Sequence, residues 1–234
     1  MNILRTVIDK FTAILAWIRK DKIIDINNYD SLVKINLGCG LTVAPDWLNI
    51  DGSLNAFVAH YPRFIKKSFF SFSGSSNYYS KNQYINILDN NRFVFHNLSY
   101  GLPIGDEKAN FCYSSHLLEH LTKHQGEYLI KEIFRVLKPN GLVRIVVPDL
   151  EFAIGLYEKG QKKRMLSDFF FVDLDGSYLA RHKYMYDFQL IKEALEQCGF
   201  INIIRYVYQQ GHTPDIEILD NQPEVSIYVE AQKP

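Results

Sequence analysis

The sequence predicts an α/β fold built on a mostly parallel sheet that helices cover on both faces. Short apolar runs rich in β-branched residues alternate with segments whose apolar residues recur at helical spacing. Two further apolar runs, INIIRYVY and VSIYVEAQ, close the chain and predict an antiparallel pair of strands. With 234 residues and no internal repeat, the chain is expected to form one domain.

The individual elements follow from local signals. The predicted strands before the closing pair are VKINLGCG, WLNID, RFVFHN, NFCYSS and LVRIVVPDL. Thr122 and Gln125 fit a capping box that begins a helix, and the Lys-Pro-Asn-Gly run at 138–141 ends it. Asp187 caps a later helix, which ends at Gly199.

A long segment at about residues 60–91 interrupts this alternation. It is rich in Ser, Asn, Tyr and Phe and shows no clear period. Because its aromatic residues argue against simple disorder, we expect an insertion that folds over another part of the molecule as a lid or binding loop. The predicted organisation is an N-terminal amphipathic helix and linker at 1–32, then one domain at 33–234 that contains this insertion.

The N-terminal helix has two interpretations. No run is long enough to cross a bilayer, and residues 1–20 lack the uninterrupted apolar stretch of a secretory signal. The helix either caps a core or an active site, or lies on a membrane surface. In the second case Trp17 would lie at the interface, with four basic residues near anionic lipid: Lys10, Arg19, Lys20 and Lys22.

Composition and charge narrow the function classes. Apolar residues make up 47% and charged residues 22%, which excludes a disordered chain, a collagen-like repeat and a coiled coil. Lys plus Arg and Asp plus Glu number 26 each, so the net charge is zero and nucleic acid is not favoured as a partner. Cys39, Cys112 and Cys198 form no disulfide or metal-ligand pattern, which predicts a reducing, cytoplasmic compartment.

Polar and glycine residues follow several predicted strands. In an open α/β sheet, ligands bind outside the carboxyl ends of the strands. Gly38 and Gly40 lack Cβ atoms, so the chain can turn sharply there and let a ligand approach the backbone. Asp51 ends the next strand, where its two carboxylate oxygens are placed to accept both hydroxyls of a ribose; a turn-forming Asp-Gly is the structural alternative.

Several stretches together resemble a known family. KINLGCG, LNID, FHNLSYGLPIGDEKANFCYSSHLLEHL, EIFRVLKPNGLVRIVVPDLE and HKYMYDFQLIKEALEQCGF resemble class I S-adenosylmethionine-dependent methyltransferases, in particular bacterial ones associated with glycan biosynthesis. The resemblance runs from about Lys34 to the C-terminus. It departs from the family pattern at Asn36, where an acidic residue is usual, and at Leu41 and Thr42, where a third glycine often follows the turn.

The resemblance implies a Rossmann-like, doubly wound, seven-stranded sheet and S-adenosylmethionine as the methyl donor. It implies these cofactor-binding residues: Leu37, Gly38, Cys39 and Gly40 along the methionine part, Asp51 at the ribose, Asn97 and Leu98 at the adenine, and Ser114 and Ser115 beneath the sulfonium. The acceptor oxygen is expected on a sugar or another small polar molecule, and the chemistry needs no metal.

A hydroxyl acceptor must lose a proton, so the histidines near the predicted site are candidate bases. They are His116, at the end of the fourth strand, His120, which a supporting role suits better, and His182, in RHKYMYD before the last helix. Glu119 is expected to support a loop. Together, His116, Glu119, His120 and His182 could instead hold a divalent metal, similar to the metal-dependent small-RNA 2′-O-methyltransferases of plants, although those have a glutamate at the position of His116.

Three other interpretations compete with a methyltransferase. His116 to His120 matches the zinc-hydrolase pattern H-x-x-E-H, which needs one continuous helix, whereas His116 here directly follows a strand. The altered glycine turn keeps open a non-catalytic cofactor-binding scaffold. A nicotinamide dehydrogenase would need glycine at Val43 to complete G-x-G-x-x-G.

Overall fold

A computed structural model describes residues 3–26, 32–71, 73–171 and 181–234. Phe72 and parts of the predicted linker and of the region before His182 lie outside these residues. The strands are β1 (Lys34–Leu37), β2 (Trp47–Asp51), β3 (Arg92–Phe95), β4 (Ala109–Ser115), β5 (Leu137–Pro148), β6 (Ile201–Tyr206) and β7 (Ser226–Gln232). The helices are α1 (Ile3–Arg19), α2 (Leu54–Val58), α3 (Arg63–Phe70), α4 (Lys81–Asn90), α5 (Lys123–Val136), α6 (Leu150–Glu158), α7 (Lys162–Met165), α8 (Phe188–Gln197) and α9 (Ile216–Leu219).

The strands form one seven-stranded sheet in the order β3-β2-β1-β4-β5-β7-β6. β1 to β5 pair in parallel, while β7 runs antiparallel to both β5 and β6. The chain leaves β1 toward β2 and β3, then returns to place β4 on the other side of β1. Ligands of open α/β sheets bind at such a reversal of strand order, which lies here at the carboxyl ends of β1 and β4. The predicted α/β, Rossmann-like fold with an antiparallel closing pair is confirmed.

Apolar residues cover both faces of the sheet because neighbouring residues of a strand point to opposite sides. On one face, Ile35, Leu48 and Ile145 pack with α5 and α8 in the largest apolar cluster. On the other face, Phe93 and Phe95 of β3 pack with α1, α2 and α4. A buried layer that includes Trp47, Tyr113, Val146 and Tyr228 continues this second face toward β7.

The helix caps predicted at Thr122 and Asp187 are present. The Thr122 hydroxyl accepts a hydrogen bond from the backbone N–H of Gln125, and the Gln125 side-chain oxygen accepts one from the backbone N–H of Thr122. Asp187 accepts a hydrogen bond from the backbone N–H of Leu190 at 2.8 Å, which begins α8. These local signals determine where α5 and α8 begin. Both helices contribute buried residues to the largest apolar cluster.

The expectation of an irregular segment at 60–91 is wrong for most of its length. The segment contains α3 and α4, and α4 begins at a capping box between Ser80 and Gln83. Tyr84 and Leu88 of α4 are buried against β3. α3 and α4 lie between β2 and β3 in the chain. Their apolar side chains face the sheet and cover it on this side.

Candidate active site

The glycine turn lies directly after β1. Gly38 has a φ of +64° and Gly40 a φ of +53°, the left-handed region that glycine adopts most readily. A Cβ on Gly38 would lie 2.9 Å from the Leu117 side chain, whereas a Cβ on Gly40 would meet no atom within 4 Å. Gly38 therefore permits close packing against the segment after β4, and Gly40 borders open space.

Asp51 connects the glycine turn to the end of β2. The side chain is 8% exposed, and one carboxylate oxygen accepts a hydrogen bond from the backbone N–H of Gly40 at 2.8 Å. The other oxygen accepts from the N–H of Ser53 at 2.6 Å. Each carboxylate oxygen can accept more than one hydrogen bond, so the group retains capacity for a hydroxyl-bearing ligand.

Asn36, where the family pattern has an acidic residue, is used inside the turn. Its buried amide donates hydrogen bonds to the carbonyl oxygen of Thr42 at 2.9 Å and to the side-chain oxygen of Asn49 at 3.0 Å. These two hydrogen bonds link the Asn36 side chain of β1 to the loop at Thr42 and to Asn49 of β2. Burial, reinforced by the charge of Asp51, raises the pKa of the Cys39 thiol, so this residue remains a protonated, unreactive neighbour.

Asn97 lies beside Asp51 at the sheet edge. Gly52 is packed against the Asn97 backbone, with a Cβ position 3.6 Å from the Asn97 Cα atom. The Asn97 side-chain oxygen accepts from the N–H of Ser99 at 3.0 Å and thereby begins the short 3-10 segment Leu98–Tyr100. Leu98 is buried in the largest apolar cluster, so its side chain contributes to the core.

The end of β4 brings the predicted base to the same edge. Ser114 is buried, and the Ser115 hydroxyl hydrogen-bonds the side chain of Asn221 at 3.3 Å. His116 has a φ of +49°, a conformation uncommon for a residue with a side chain. Its Nε2 lies 3.1 Å from the Ser226 hydroxyl, and its Nδ1 lies 3.2 Å from a carboxylate oxygen of Glu119.

His182 reaches this edge although it lies far along the chain. The backbone N–H groups of Lys183 and Tyr184 donate to the carbonyl oxygen of Glu119 at 2.7 and 3.3 Å, which holds this segment against the end of β4. The rings of His120 and His182 are 5.1 Å apart between centroids. Burial lowers the pKa of His182, and the negative charge of Glu119 opposes that shift.

Glu119 is more than the loop support that the sequence suggested. Its backbone carbonyl does hold residues 183 and 184, but its carboxylate is buried in the same cluster of imidazoles, with the side chain 1% exposed. Among the described residues, no donor hydrogen-bonds either carboxylate oxygen. His116 ends a strand and Leu118–His120 is a 3-10 segment, so the match to the helical zinc-hydrolase pattern is accidental. The spacing H-x-x-E-H was nevertheless the sequence signal for this cluster.

The chain resembles known proteins in one segment of its sequence and in its fold. A family model described as a methyltransferase domain matches residues 79–145, which contain Asn97, the end of β4 and the run from His116 to His120. This segment is 67 of the 234 residues, so the match shows a likeness to a methyltransferase domain over less than a third of the chain. It supports the predicted enzyme class, and it does not include the glycine turn or Asp51. No curated protein matches the sequence at a significant level.

Solved structures share the fold at low sequence identity. A SAM-dependent methyltransferase from Thermotoga maritima is 13% identical, with a TM-score of 0.51 over 86% of this chain and 82% of that one. A SAM-dependent methyltransferase from Archaeoglobus fulgidus is 14% identical, with a TM-score of 0.48 over 96% of this chain and 94% of that one. The first of these supports the fold that the methyltransferase prediction implied.

Proposed function

We propose that the protein transfers a methyl group from S-adenosylmethionine to an oxygen atom of a sugar or another small polar acceptor. The observation that carries this proposal is the 2.8 Å hydrogen bond between the N–H of Gly40 and the carboxylate of Asp51. It joins the glycine turn to an acidic residue at the carboxyl ends of adjacent strands, beside the reversal of strand order. A cofactor with a ribose and a charged amino-acid end suits this arrangement.

The residues present fit that cofactor. Open space beside Gly40 leaves room for a ligand against the backbone, and Asp51 keeps unused lone pairs for two ribose hydroxyls. Leu37, Gly38 and Cys39 would border the methionine part, and Asn97, packed on Gly52, would border the adenine. When bound, S-adenosylmethionine supplies a methyl group on a sulfonium.

His116 is the best candidate for the base that takes the acceptor proton. Its Nδ1 faces the buried carboxylate of Glu119, which would stabilise the imidazolium that forms. Its Nε2 lies 3.1 Å from the Ser226 hydroxyl, an alcohol oxygen of the kind that a hydroxyl acceptor would present. His120 and His182 lie in the same cluster, each with a ring nitrogen within 4.8 Å of the Glu119 carboxylate. Holding donor and acceptor in line accounts for much of the rate in such a displacement.

Calorimetric titration with S-adenosylmethionine and S-adenosylhomocysteine tests the donor, with NAD as a control. We expect micromolar binding of the two sulfur compounds and none of NAD. Asp51→Asn should weaken binding at least tenfold, about 1.4 kcal/mol, because a charged acceptor is lost. Asp46→Asn is the matched control, since Asp46 is an exposed carboxylate in the same connection between β1 and β2.

Two results would contradict this proposal. Failure of the wild-type protein to bind either sulfur compound would favour a scaffold whose altered turn no longer holds a cofactor. Equal affinity of folded Asp51→Asn and wild-type protein would remove Asp51 from the site. If binding holds, an acceptor screen begins with sugars and nucleotide-sugars, and His116→Ala should lower turnover at least a hundredfold while cofactor affinity stays unchanged.

A further inference from the structure

We infer that Glu119, His120 and His182 form a binding site for a divalent transition-metal ion. One ligand atom from each side chain lies within 4.8 Å of the other two. Two imidazoles and one carboxylate are a ligand set that Zn²⁺, Mn²⁺, Fe²⁺ and Co²⁺ accept. Glu119 and His120 come from the 3-10 segment Leu118–His120 after β4, and His182 comes from the segment before α8, so the fold itself brings them together.

The first argument is the state of the Glu119 carboxylate. It is 1% exposed, and no donor among the described residues hydrogen-bonds its oxygens. A buried carboxylate without a cation or donors is strongly unfavourable, so native structures normally provide compensation. The nearest charged candidate, the His116 ring at 3.2 Å, is positive only when protonated. A bound cation would satisfy the carboxylate at neutral pH.

The second argument is the orientation of the two imidazoles. The Nδ1 atom of His182 lies 2.7 Å from the carbonyl oxygen of Phe169, and that of His120 lies 3.3 Å from the carbonyl of Arg181. A carbonyl oxygen can only accept a hydrogen bond, so these contacts favour the tautomer in which Nδ1 donates and Nε2 is the nitrogen of each ring that can bind a metal. Histidines that bind metals are commonly oriented by such a bond from the second nitrogen.

The ion would act on the acceptor, and this role rests on the proposed function. When bound, the ion would supply Lewis-acid chemistry, which lowers the pKa of an acceptor hydroxyl so that its proton can leave to solvent. The acceptor oxygen forms its bond to the methyl carbon while the carbon–sulfur bond of the sulfonium breaks, and the electron pair stays on sulfur. The products are the methyl ether, the thioether and a proton released to water.

Metal titration of the full chain tests the site. Protein stripped with EDTA is titrated with Zn²⁺ or Mn²⁺ alone by calorimetry, and with Co²⁺ by visible absorption. We expect one ion per chain with micromolar or tighter affinity, weakened at least tenfold by Glu119→Gln and by His182→Gln. His124→Gln is the matched control, because His124 is an exposed histidine on α5 four residues after His120.

The inference would be overturned if wild-type protein showed no stoichiometric metal site. It would also be overturned if the folded Glu119→Gln and His182→Gln variants bound the metal as tightly as wild-type protein. The cobalt spectrum of wild-type protein needs no variant, so the test survives a variant that fails to fold. Titration of metal-free protein with S-adenosylhomocysteine separates this inference from the proposed function. Loss of the metal site with intact cofactor binding would reject the ion alone.

A second inference rests on α1 alone: we infer that its outer face docks on an anionic lipid bilayer. The inner face packs on the domain through Thr12 and Ala16, which are 5% and 3% exposed. The outer face is apolar and open to solvent, and each of its large side chains is 50–65% exposed: Val7, Phe11, Ile14, Trp17 and Ile18. Such a contiguous exposed stripe marks an interaction surface.

Charge around the stripe favours lipid over a protein partner. Lys10, Lys20 and Lys22 are exposed next to it, with Asp21 as an exposed carboxylate among them. The Lys20 ammonium lies 5.7 Å from the centre of the Trp17 ring, which pairs a cation with an interfacial aromatic residue. No helix among the described residues is long and apolar enough to cross a membrane. A helix of this kind lies in the headgroup region.

Vesicle binding tests this docking. Full-length protein is mixed with phosphatidylcholine vesicles with or without phosphatidylglycerol, then sedimented while tryptophan emission is recorded. We expect sedimentation only with the anionic vesicles and a blue shift from Trp17, since Trp47 is 1% exposed and already buried. The double variant Ile14→Ser/Ile18→Ser should reduce binding at least tenfold. Ile154→Ser on α6 is the control, at 50% exposure.

No dependence on anionic lipid, or unchanged binding by the double variant, would overturn the docking. Light scattering of the protein without lipid tests the alternative that a second copy of the chain binds this face of α1. A dimer that the Ile14→Ser/Ile18→Ser change dissociates would mean that a second copy of the chain, and not a bilayer, covers α1.

Discussion

Carboxylates are buried in two regions of the molecule. They accept hydrogen bonds from several donors in one region and from none of the described residues in the other. Between β5 and β7, Asp220 and Glu230 surround the fully buried guanidinium of Arg144, with nitrogen–oxygen distances of 2.6 and 3.1 Å. Glu230 also accepts from the backbone N–H groups of His212 and Thr213. At the end of β4, Glu119 is equally buried, yet neither oxygen receives a hydrogen bond from the described residues.

This difference distinguishes a structural ion network from a candidate functional site. A buried charge with all its partners holds elements together, and here it fixes the loop after β6 onto the sheet. A buried charge left without partners costs stability, which a fold retains when the group has another role. The region around Arg144 is therefore a structural centre, and the region around Glu119 is a candidate site.

The largest expected effect comes from breaking the satisfied network. Arg144→Met leaves two buried carboxylates without their cation, so we expect the free energy of unfolding to fall by about 3–5 kcal/mol. Urea denaturation monitored by circular dichroism measures this loss. A loss below about 1 kcal/mol would mean that the network is not the structural centre described here.

Removing one charge of that network should cost less. Asp220 accepts two hydrogen bonds from Arg144, at 2.9 and 2.6 Å, and one from the N–H of Gln209. Asp220→Asn keeps one acceptor oxygen, so we expect a loss of about 1.5–3 kcal/mol in the same denaturation experiment. A loss as large as that of Arg144→Met would show that the two carboxylates do not share the arginine.

The opposite sign is expected at Glu119. In metal-free protein, Glu119→Gln removes a buried carboxylate that accepts no hydrogen bond from the described residues. We therefore expect the free energy of unfolding to rise by about 0.5–2 kcal/mol while methyl transfer is lost. Denaturation in EDTA, alongside a turnover assay once an acceptor is known, measures both. Destabilisation above about 1 kcal/mol would place Glu119 with the structural carboxylates.

The smallest expected effect concerns His96, a buried imidazole whose hydrogen-bond partner is the uncharged carbonyl of Gly101. Burial lowers the pKa of His96, and the hydrogen bond to the Gly101 carbonyl opposes the shift. The unfolded chain thus binds the proton more readily, so stability is lost as the pH falls below about 6.5, the ordinary imidazole pKa. His96→Gln should flatten the dependence of unfolding free energy on pH between about 5 and 7, and an unchanged slope would assign that dependence to other groups.

Sequence patterns predicted the parts of this fold that depend on neighbours in the chain. The caps at Thr122 and Asp187 and the position of Asp51 at the end of β2 follow from residues within a few positions of one another. The helices α3 and α4 were missed because aromatic and serine-rich composition obscured their apolar spacing, although Ser80 and Gln83 matched the same capping box that identified α5.

The candidate site was predicted less completely. The sequence singled out His116, His120 and His182, but not the state of Glu119, because burial and a missing partner arise only when distant segments meet. Likewise, Asn36 stood out as a departure from the family pattern, whereas its hydrogen bonds to Thr42 and Asn49 depend on how β1 and β2 pair.

The hydrogen bonds that hold the two ends of the site span very different lengths of chain. Gly40 and Asp51 are 11 residues apart, so the proposed donor end can form as soon as β1 and β2 pair. His120 and Arg181 are 61 residues apart, so the proposed acceptor end forms only when most of the domain is in place. Closing the longer loop costs more entropy, so we expect residues 181–187 to complete the proposed acceptor end late in folding, after the donor end exists.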